Sequence, residues 1–271
     1  MKKFLILALA TLVLARAEAK LVTKPLDYEL NGTKLQGYLA YDDAKTAAGK
    51  VPGVLVVPEW WGVNAYVKGR ADQLAQLGYV AFVADMYGNG QSTEEPKKAE
   101  ELSSALEGKP LFAARARAGL DQLMKVEQVD PAKLAAIGFC FGGSAVQALA
   151  YTGAPLLGIV SFHGGPVPAP ADAAGKVKAK FLLLNGAIDK MVTPEKRAAL
   201  EKSLEAAKVD YQSIDYAGAL HAFTNKDADR IASEHEDMTG LIAYNETAAR
   251  RSWQQMQIFF DEIFGKKSTA N

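Results

Sequence analysis

Apolar residues along the chain occur in short continuous runs that alternate with segments of helical spacing. A continuous apolar run is typical of a parallel strand covered on both faces, and the spaced segments predict amphipathic helices. Strands that alternate with helices predict a mostly parallel sheet with helices on both of its faces. The predicted strands span residues 53–58, 79–84, 158–162, 181–184 and 211–216, and a further strand leads up to residue 140.

Two segments depart from this pattern. Residues 26–42 alternate polar and apolar positions around the turn pair Asn31-Gly32, which predicts an N-terminal antiparallel hairpin at the sheet edge. Residues 88–110 are polar and charged, and they form either a mobile flap that contains a helix or a solvated crossover. The predicted helices span residues 63–77, 112–126 and 242–264, with others after residue 140 and from Thr193.

The N-terminus has the pattern of an export signal. Lys2 and Lys3 precede an apolar run over residues 4–15, and small residues at the spacing of a cleavage site follow it, ending at Ala19. We expect residues 1–19 to be a cleaved signal peptide, with an uncleaved anchor as the alternative. The run is too short to span a bilayer, so we expect a secreted or periplasmic protein without membrane association after cleavage. Residues 20–271 show no linker or repeat and predict a single domain.

Composition narrows the function classes. The chain has 31 basic and 31 acidic residues, a balance that does not favour nucleic-acid binding. Cys140 is the only cysteine, so an exported chain would keep a free thiol and have no intramolecular disulfide. The three histidines show no metal-ligand spacing, and we expect neither a metal nor a cofactor. We expect a monomer whose partner is a small molecule.

Cys140 lies where an apolar run meets an apolar helix, in the pattern Gly138-x-Cys140-x-Gly142. This strand–turn–helix context is that of the nucleophile elbow of α/β-hydrolases, with a thiol in place of the usual hydroxyl. Small flanking residues let the helix pack close to the strand, and the N–H groups at the helix N-terminus favour a thiolate and an oxyanion. The alternative is that Cys140 is only a small buried hydrophobic residue.

An acid and a histidine follow Cys140 in the order that this fold requires. Asp189 comes after the strand 181–184, and His221 comes after the strand that ends at residue 216. His163 precedes the acid, whereas His235 lies in a polar run, so His221 is the predicted base. The alternatives are that Asp189 is an Asx-type loop residue and that His221 only packs against a neighbouring ring.

The chain resembles the dienelactone hydrolase family in five segments, residues 58–64, 84–87, 138–143, 185–189 and 218–223, within a similarity that extends over residues 28–264. The resemblance implies an α/β-hydrolase fold and a triad of Cys140, Asp189 and His221. It further implies an oxyanion hole formed by the N–H groups of Trp60 and Phe141. Glu59 would contact the resting thiol and help to deprotonate it when substrate enters.

The expected substrate pocket departs from that of the family's namesake. Asn89 and Asn225 stand where the namesake has arginines that bind the substrate carboxylate, so we expect a preference for uncharged substrates. The alternative is that a nearby cation, Lys226 or Arg230, replaces the lost charge. The predicted substrate-binding residues are Tyr87, Asn89, His163 and Asn225.

The sequence thus predicts a carboxylic ester hydrolase that cleaves a small ester, lactone or thioester through an acyl-enzyme intermediate. The main alternative is a non-catalytic ligand-binding protein on an α/β-hydrolase scaffold, because a fold alone does not imply activity. A peroxide-sensing thiol is a weaker alternative, since the chain has no resolving cysteine.

Overall fold

We analysed a computed structural model, which describes residues 20–265. The predicted signal peptide lies outside the described residues and stays a prediction. Eight strands form one sheet: β1 (Leu21–Leu30), β2 (Thr33–Asp42), β3 (Val51–Val57), β4 (Val80–Val83), β5 (Val129–Phe139), β6 (Gly158–Phe162), β7 (Lys180–Gly186) and β8 (Tyr211–Tyr216). The α-helices are α1 (Asp43–Thr46), α2 (Ala65–Gln76), α3 (Pro96–Ser104), α4 (Pro110–Leu123), α5 (Phe141–Tyr151), α6 (Pro194–Ala206), α7 (Ala228–Glu234) and α8 (Glu246–Phe264).

The sheet has the order β1-β2-β4-β3-β5-β6-β7-β8. β1 pairs with β2 and β2 with β4 in antiparallel fashion, and the remaining neighbours are parallel. The predicted N-terminal hairpin is confirmed, and its turn residues Asn31 and Gly32 have φ of 51° and 78°, as a type I′ turn requires. The predicted fold class, an α/β-hydrolase fold with a mostly parallel sheet, is therefore confirmed.

Side-chain alternation along the central strands divides the core between the two faces of the sheet. Leu55 of β3 packs in the layer that contains α4 and α5, whereas Val54 and Val56 pack in the layer that contains α2 and α8. All three side chains are fully buried. Because both faces are covered, the strand sequences are continuously apolar rather than alternating.

Capping residues set two helix boundaries that periodicity placed differently. The predicted helix 112–126 begins at Pro110, a residue that the first turn of a helix accepts without losing a hydrogen bond. The last helix begins at Glu246 rather than at residue 242, because Asn245 caps it by accepting a hydrogen bond from the N–H of Ala248 at 3.0 Å. Within residues 20–265, we find no helix with the length and apolar character that a membrane span needs.

Candidate active site

Cys140 links β5 to α5 in a backbone conformation that few residues other than glycine adopt, with φ of 52° and ψ of −118°. Such a conformation costs of order 1–3 kcal/mol and persists only where the surroundings enforce it. The flanking glycines show what enforces it. A Cβ at Gly138 would overlap the carbonyl oxygen of Gly142, and a Cβ at Gly142 would overlap the carbonyl oxygen of Val57. The helix therefore starts directly against β3 and β5, with Cys140 at its N-terminus.

His221 and Asp189 form a buried hydrogen-bonded pair. Nδ1 of His221 donates to Oδ2 of Asp189 at 2.8 Å, and both side chains are at most 5% exposed. The other carboxylate oxygen, Oδ1, accepts from the N–H groups of Met191 at 2.8 Å and Val192 at 3.0 Å. These two backbone donors fix the carboxylate, and the carboxylate in turn fixes the imidazole with its proton on Nδ1.

This cluster favours an imidazolium once Cys140 carries a negative charge. Burial lowers the pKa of His221, but a negative charge on Cys140 and the hydrogen bond to Asp189 outweigh it and raise the pKa well above 6.5. Burial likewise raises the pKa of Asp189, yet the hydrogen bond to His221 and the two backbone donors bring it below 3.8. Nε2 of His221 is buried without an oxygen or nitrogen partner among the described residues, which leaves it available for the thiol proton.

Glu59 follows β3 and is 2% exposed. Its Oε2 accepts a hydrogen bond of 2.7 Å from Nδ2 of Asn225, and its Oε1 has no partner within the described chain. Burial raises the pKa of this carboxyl to about 7. The contact expected between Glu59 and the thiol is not among the hydrogen bonds of residues 20–265, in which Asn225 bonds to the carboxyl.

The two residues expected to form an oxyanion hole, Trp60 and Phe141, line the same cavity as Cys140. Phe141 is the first residue of α5, so no carbonyl within the helix can accept its N–H. The loop carrying Trp60 is anchored by Tyr87, whose hydroxyl donates to the Trp60 carbonyl at 2.9 Å. The Trp60 ring also packs edge-on against Trp61, with 4.9 Å between centroids.

Cys140 and His221 open into a cavity of about 280 Å³. Glu59 and the two residues of the expected oxyanion hole line it, and its lining is mostly apolar. One wall comes from α3 and the turn after it, within the polar segment 88–110, so this segment borders the cavity. The lining residues are Glu59, Trp60, Trp61, Glu100, Ser103, Ser104, Glu107, Cys140, Phe141, Met191, His221, Ala222, Met238 and Ile242.

None of the four predicted substrate-binding residues is among the described residues that line this cavity. Asn89 faces a separate depression beside the N-terminal hairpin, and the amide of Asn225 is occupied by Glu59. The hydroxyl of Tyr87 is occupied by Trp60. His163 is fully buried, and both of its ring nitrogens are hydrogen-bonded within the protein.

Neither of the cations considered as replacements for the missing arginines reaches the cavity. Lys226 borders a different depression, and Arg230 on α7 pairs with Glu234 at 2.6 Å. The walls formed by α3 could not be predicted from the sequence, because the polar, charged residues of segment 88–110 are typical of a solvated segment. The apolar wall residues Met191, Met238 and Ile242 have no signature of their own, since each lies in an irregular loop or short turn.

Comparisons with known proteins agree with this architecture. A dienelactone hydrolase-like promiscuous phosphotriesterase from metagenomic libraries has a similar crystal structure, with a TM-score of 0.83 and 37% sequence identity. The alignment covers 90% of this chain and 98% of that one. Protein usf of Aquifex pyrophilus is 28% identical over 243 residues, which cover 88% of this chain and 97% of that protein.

A third relative has an activity in its name. A protein of Aquifex aeolicus named putative carboxymethylenebutenolidase is 27% identical over 87% of this chain and 96% of its own length. The profile of the Dienelactone hydrolase family matches residues 35–264, which is most of the chain. This protein therefore belongs to the dienelactone hydrolase family and is an ester-cleaving enzyme.

Proposed function

We propose that this enzyme hydrolyses a small uncharged ester or lactone, with Cys140 as the nucleophile and His221 and Asp189 as its base and acid. One observation carries the proposal: the strained Cys140 and His221, which is hydrogen-bonded to the buried Asp189, line the same cavity. A strained nucleophile next to an oriented base is the arrangement that acyl transfer requires.

The reaction begins when Nε2 of His221 takes the proton of the Cys140 thiol. The sulfur attacks the substrate carbonyl carbon, and the resulting oxyanion accepts hydrogen bonds from the N–H groups of Trp60 and Phe141. As the tetrahedral adduct collapses, the C–O bond breaks, and the leaving alkoxide takes the proton from His221. Water then attacks the thioester with His221 as base, releasing the acid and restoring the thiol.

The charge of the cavity supports an uncharged substrate. Three carboxylate residues, Glu59, Glu100 and Glu107, are among the described residues that line the cavity, and no lysine or arginine is. Partial burial raises the pKa of Glu107, which is the expected response of a carboxyl beside an apolar cavity. A substrate carboxylate would lie among these acidic groups without a lysine or arginine among the described lining residues to bind it.

A phosphotriester is a second candidate substrate. It is uncharged, and the relative with 37% identity is a promiscuous phosphotriesterase. The test is turnover of an uncharged aryl dialkyl phosphate, compared with the corresponding anionic diester. Turnover of the triester but not of the diester supports this candidate. If neither compound is turned over, the candidate is excluded.

A burst assay with p-nitrophenyl acetate tests the main proposal. We expect a burst of about one p-nitrophenolate per enzyme molecule, lost after alkylation with iodoacetamide. A non-catalytic ligand-binding protein would give neither burst nor steady turnover, and a hydrolase with another nucleophile would keep its activity after alkylation.

We also propose that residues 1–19 direct export and are removed. The N-terminal pattern supports this location. N-terminal sequencing of the protein recovered from an exported fraction tests it, and an intact Met1 in that fraction contradicts the proposal.

A further inference from the structure

His163 follows β6 and connects the nucleophile elbow to the loop that carries His221. The N–H of Cys140 is shared between two acceptors, the carbonyl oxygen of Phe162 at 3.0 Å and Nδ1 of His163 at 3.1 Å. Nε2 of His163 lies 2.7 Å from Oγ1 of Thr224. Because Nδ1 is an acceptor, the neutral ring carries its proton on Nε2 and donates it to the Thr224 hydroxyl. Thr224 lies three residues after His221.

The Thr224 end of this connection is anchored to α2. The hydroxyls of Tyr66 and Thr224 are 2.6 Å apart, and Arg70 donates to the carbonyl oxygen of Thr224 at 2.6 Å. The Arg70 guanidinium is itself fixed over the rings of Tyr66 and Trp253, at 5.1 Å from each centroid. Both the side chain and the backbone of Thr224 are therefore held in place.

Backbone strain is concentrated along the same path. Cys140, His163 and Ala222 all have positive φ, at 52°, 41° and 56°. Such a conformation is unfavourable for a residue other than glycine and is retained where neighbouring contacts enforce it, often at functional sites. At His163 the enforcing contacts include the donation of its N–H to the Leu184 carbonyl at 2.8 Å.

The ring of His163 also has the charge state that this connection needs. Burial, followed by the positive charges of His221 and Arg70, lowers its pKa well below 6.5. The ring packs edge-on against His221, with 5.2 Å between centroids. A neutral ring keeps its acceptor toward Cys140 even when His221 carries a proton.

We propose that His163 and Thr224 are positioning residues that hold the Cys140 thiol and the His221 imidazole at reaction distance. The inference rests on the proposed thiol mechanism and adds the hydrogen-bonded connection that aligns its nucleophile with its base. Cys140 and His221 lie on separate loops, 81 positions apart in the chain, so local geometry alone cannot align them. A misplacement of about 1 Å can lower a rate by about 10²-fold.

The test compares Thr224→Val, which removes the hydroxyl at nearly constant volume, with Thr224→Ser, which keeps it. We expect Thr224→Val to lower kcat by about tenfold or more, with KM changed by less than about threefold. It should also slow the alkylation of Cys140 by iodoacetamide, because the base is no longer aligned. Thr224→Ser should recover most of both losses. His163→Asn, which keeps an acceptor near the Nδ1 position but not the donor to Thr224, should resemble Thr224→Val.

Ser252→Ala is the matched control, since it removes a buried hydroxyl from α8 that donates to Ala249 at 3.0 Å. We expect it to change neither kcat nor the alkylation rate. Loosened packing alone would expose the thiol, so faster alkylation in Thr224→Val would overturn the inference. So would a kcat within about threefold of wild type in both Thr224→Val and His163→Asn. Wild-type protein without ester turnover would instead refute the proposed function, and alkylation would still test the connection.

Discussion

Glu59 and Asn225 lie 166 positions apart in the chain, yet a hydrogen bond of 2.7 Å joins them, and Glu59 lines the active-site cavity. The asparagine amide satisfies one oxygen of a carboxyl that is 2% exposed, and the other oxygen has no partner among residues 20–265. A neutral amide cannot stabilise the carboxylate as a cation would, so burial dominates and raises the pKa of Glu59 to about 7.

The first prediction concerns the pH dependence of stability. Between about pH 4.5 and 7 the folded protein keeps a proton on Glu59 that the unfolded chain loses. Stability therefore falls as pH rises through this interval, by roughly 3 kcal/mol from this group. Glu59→Gln should remove that contribution, so its free energy of unfolding should fall less with pH. Urea unfolding at several pH values between about 4.5 and 7 measures the free energy of unfolding of each variant. Glu29→Gln, at an exposed position, is the control. Parallel curves for wild type and Glu59→Gln would contradict the expectation.

The second prediction uses the strain at Cys140. Both Cys140→Ala and Cys140→Gly should lose ester turnover, with kcat reduced by at least about 10³-fold, because no nucleophile remains. Their stabilities should differ in an unusual direction. At φ of 52° and ψ of −118° glycine is unstrained, so the glycine variant should be more stable than the alanine variant by about 1 kcal/mol. In a regular helix the order is the opposite. Thermal unfolding of the two variants provides the comparison, and equal turnover in wild type and Cys140→Ala would refute the thiol mechanism.

The third prediction concerns Asp189→Asn. The N–H groups of Met191 and Val192 require an oxygen at the Oδ1 position, so the asparagine must present its NH₂ group to His221. Nδ1 of His221 must then accept, which moves its proton to Nε2 and prevents it from taking the thiol proton. We expect kcat to fall by about 10²–10⁴-fold with little change in KM. The exposed Asp172→Asn serves as control in the same steady-state assay. A loss confined to KM would mean that Asp189 acts in substrate binding.

The fourth prediction concerns charge selectivity. For an ester with a free carboxylate and its methyl-capped analogue, kcat/KM should favour the capped member by about tenfold, or 1.4 kcal/mol. Glu107→Gln should narrow this preference, because it removes a carboxylate from the cavity wall. Glu101→Gln, on α3 but outside the cavity lining, should leave it unchanged. A tenfold preference for the anionic ester would refute the selectivity while leaving the thiol mechanism intact.

Local pattern determined most of the fold. The apolar run at residues 53–58 became β3, and Asn31-Gly32 became the turn of the N-terminal hairpin. Such features depend on residues close together in the chain, through side-chain period and turn conformation. Because parallel strands point the same way, Cys140, Asp189 and His221 could also be expected at one edge of the sheet.

The tertiary structure alone decided which side chains meet across that edge. His163 and Asn225 were expected at the substrate, but His163 bonds to Cys140 and Thr224, and Asn225 bonds to Glu59. A polar residue after a strand points toward whichever partner satisfies its hydrogen bonds once burial removes water, and that partner lies on another element. For the same reason, periodicity could not show that Glu107 borders a cavity, since this depends on how α3 and the turn after it pack over the elbow.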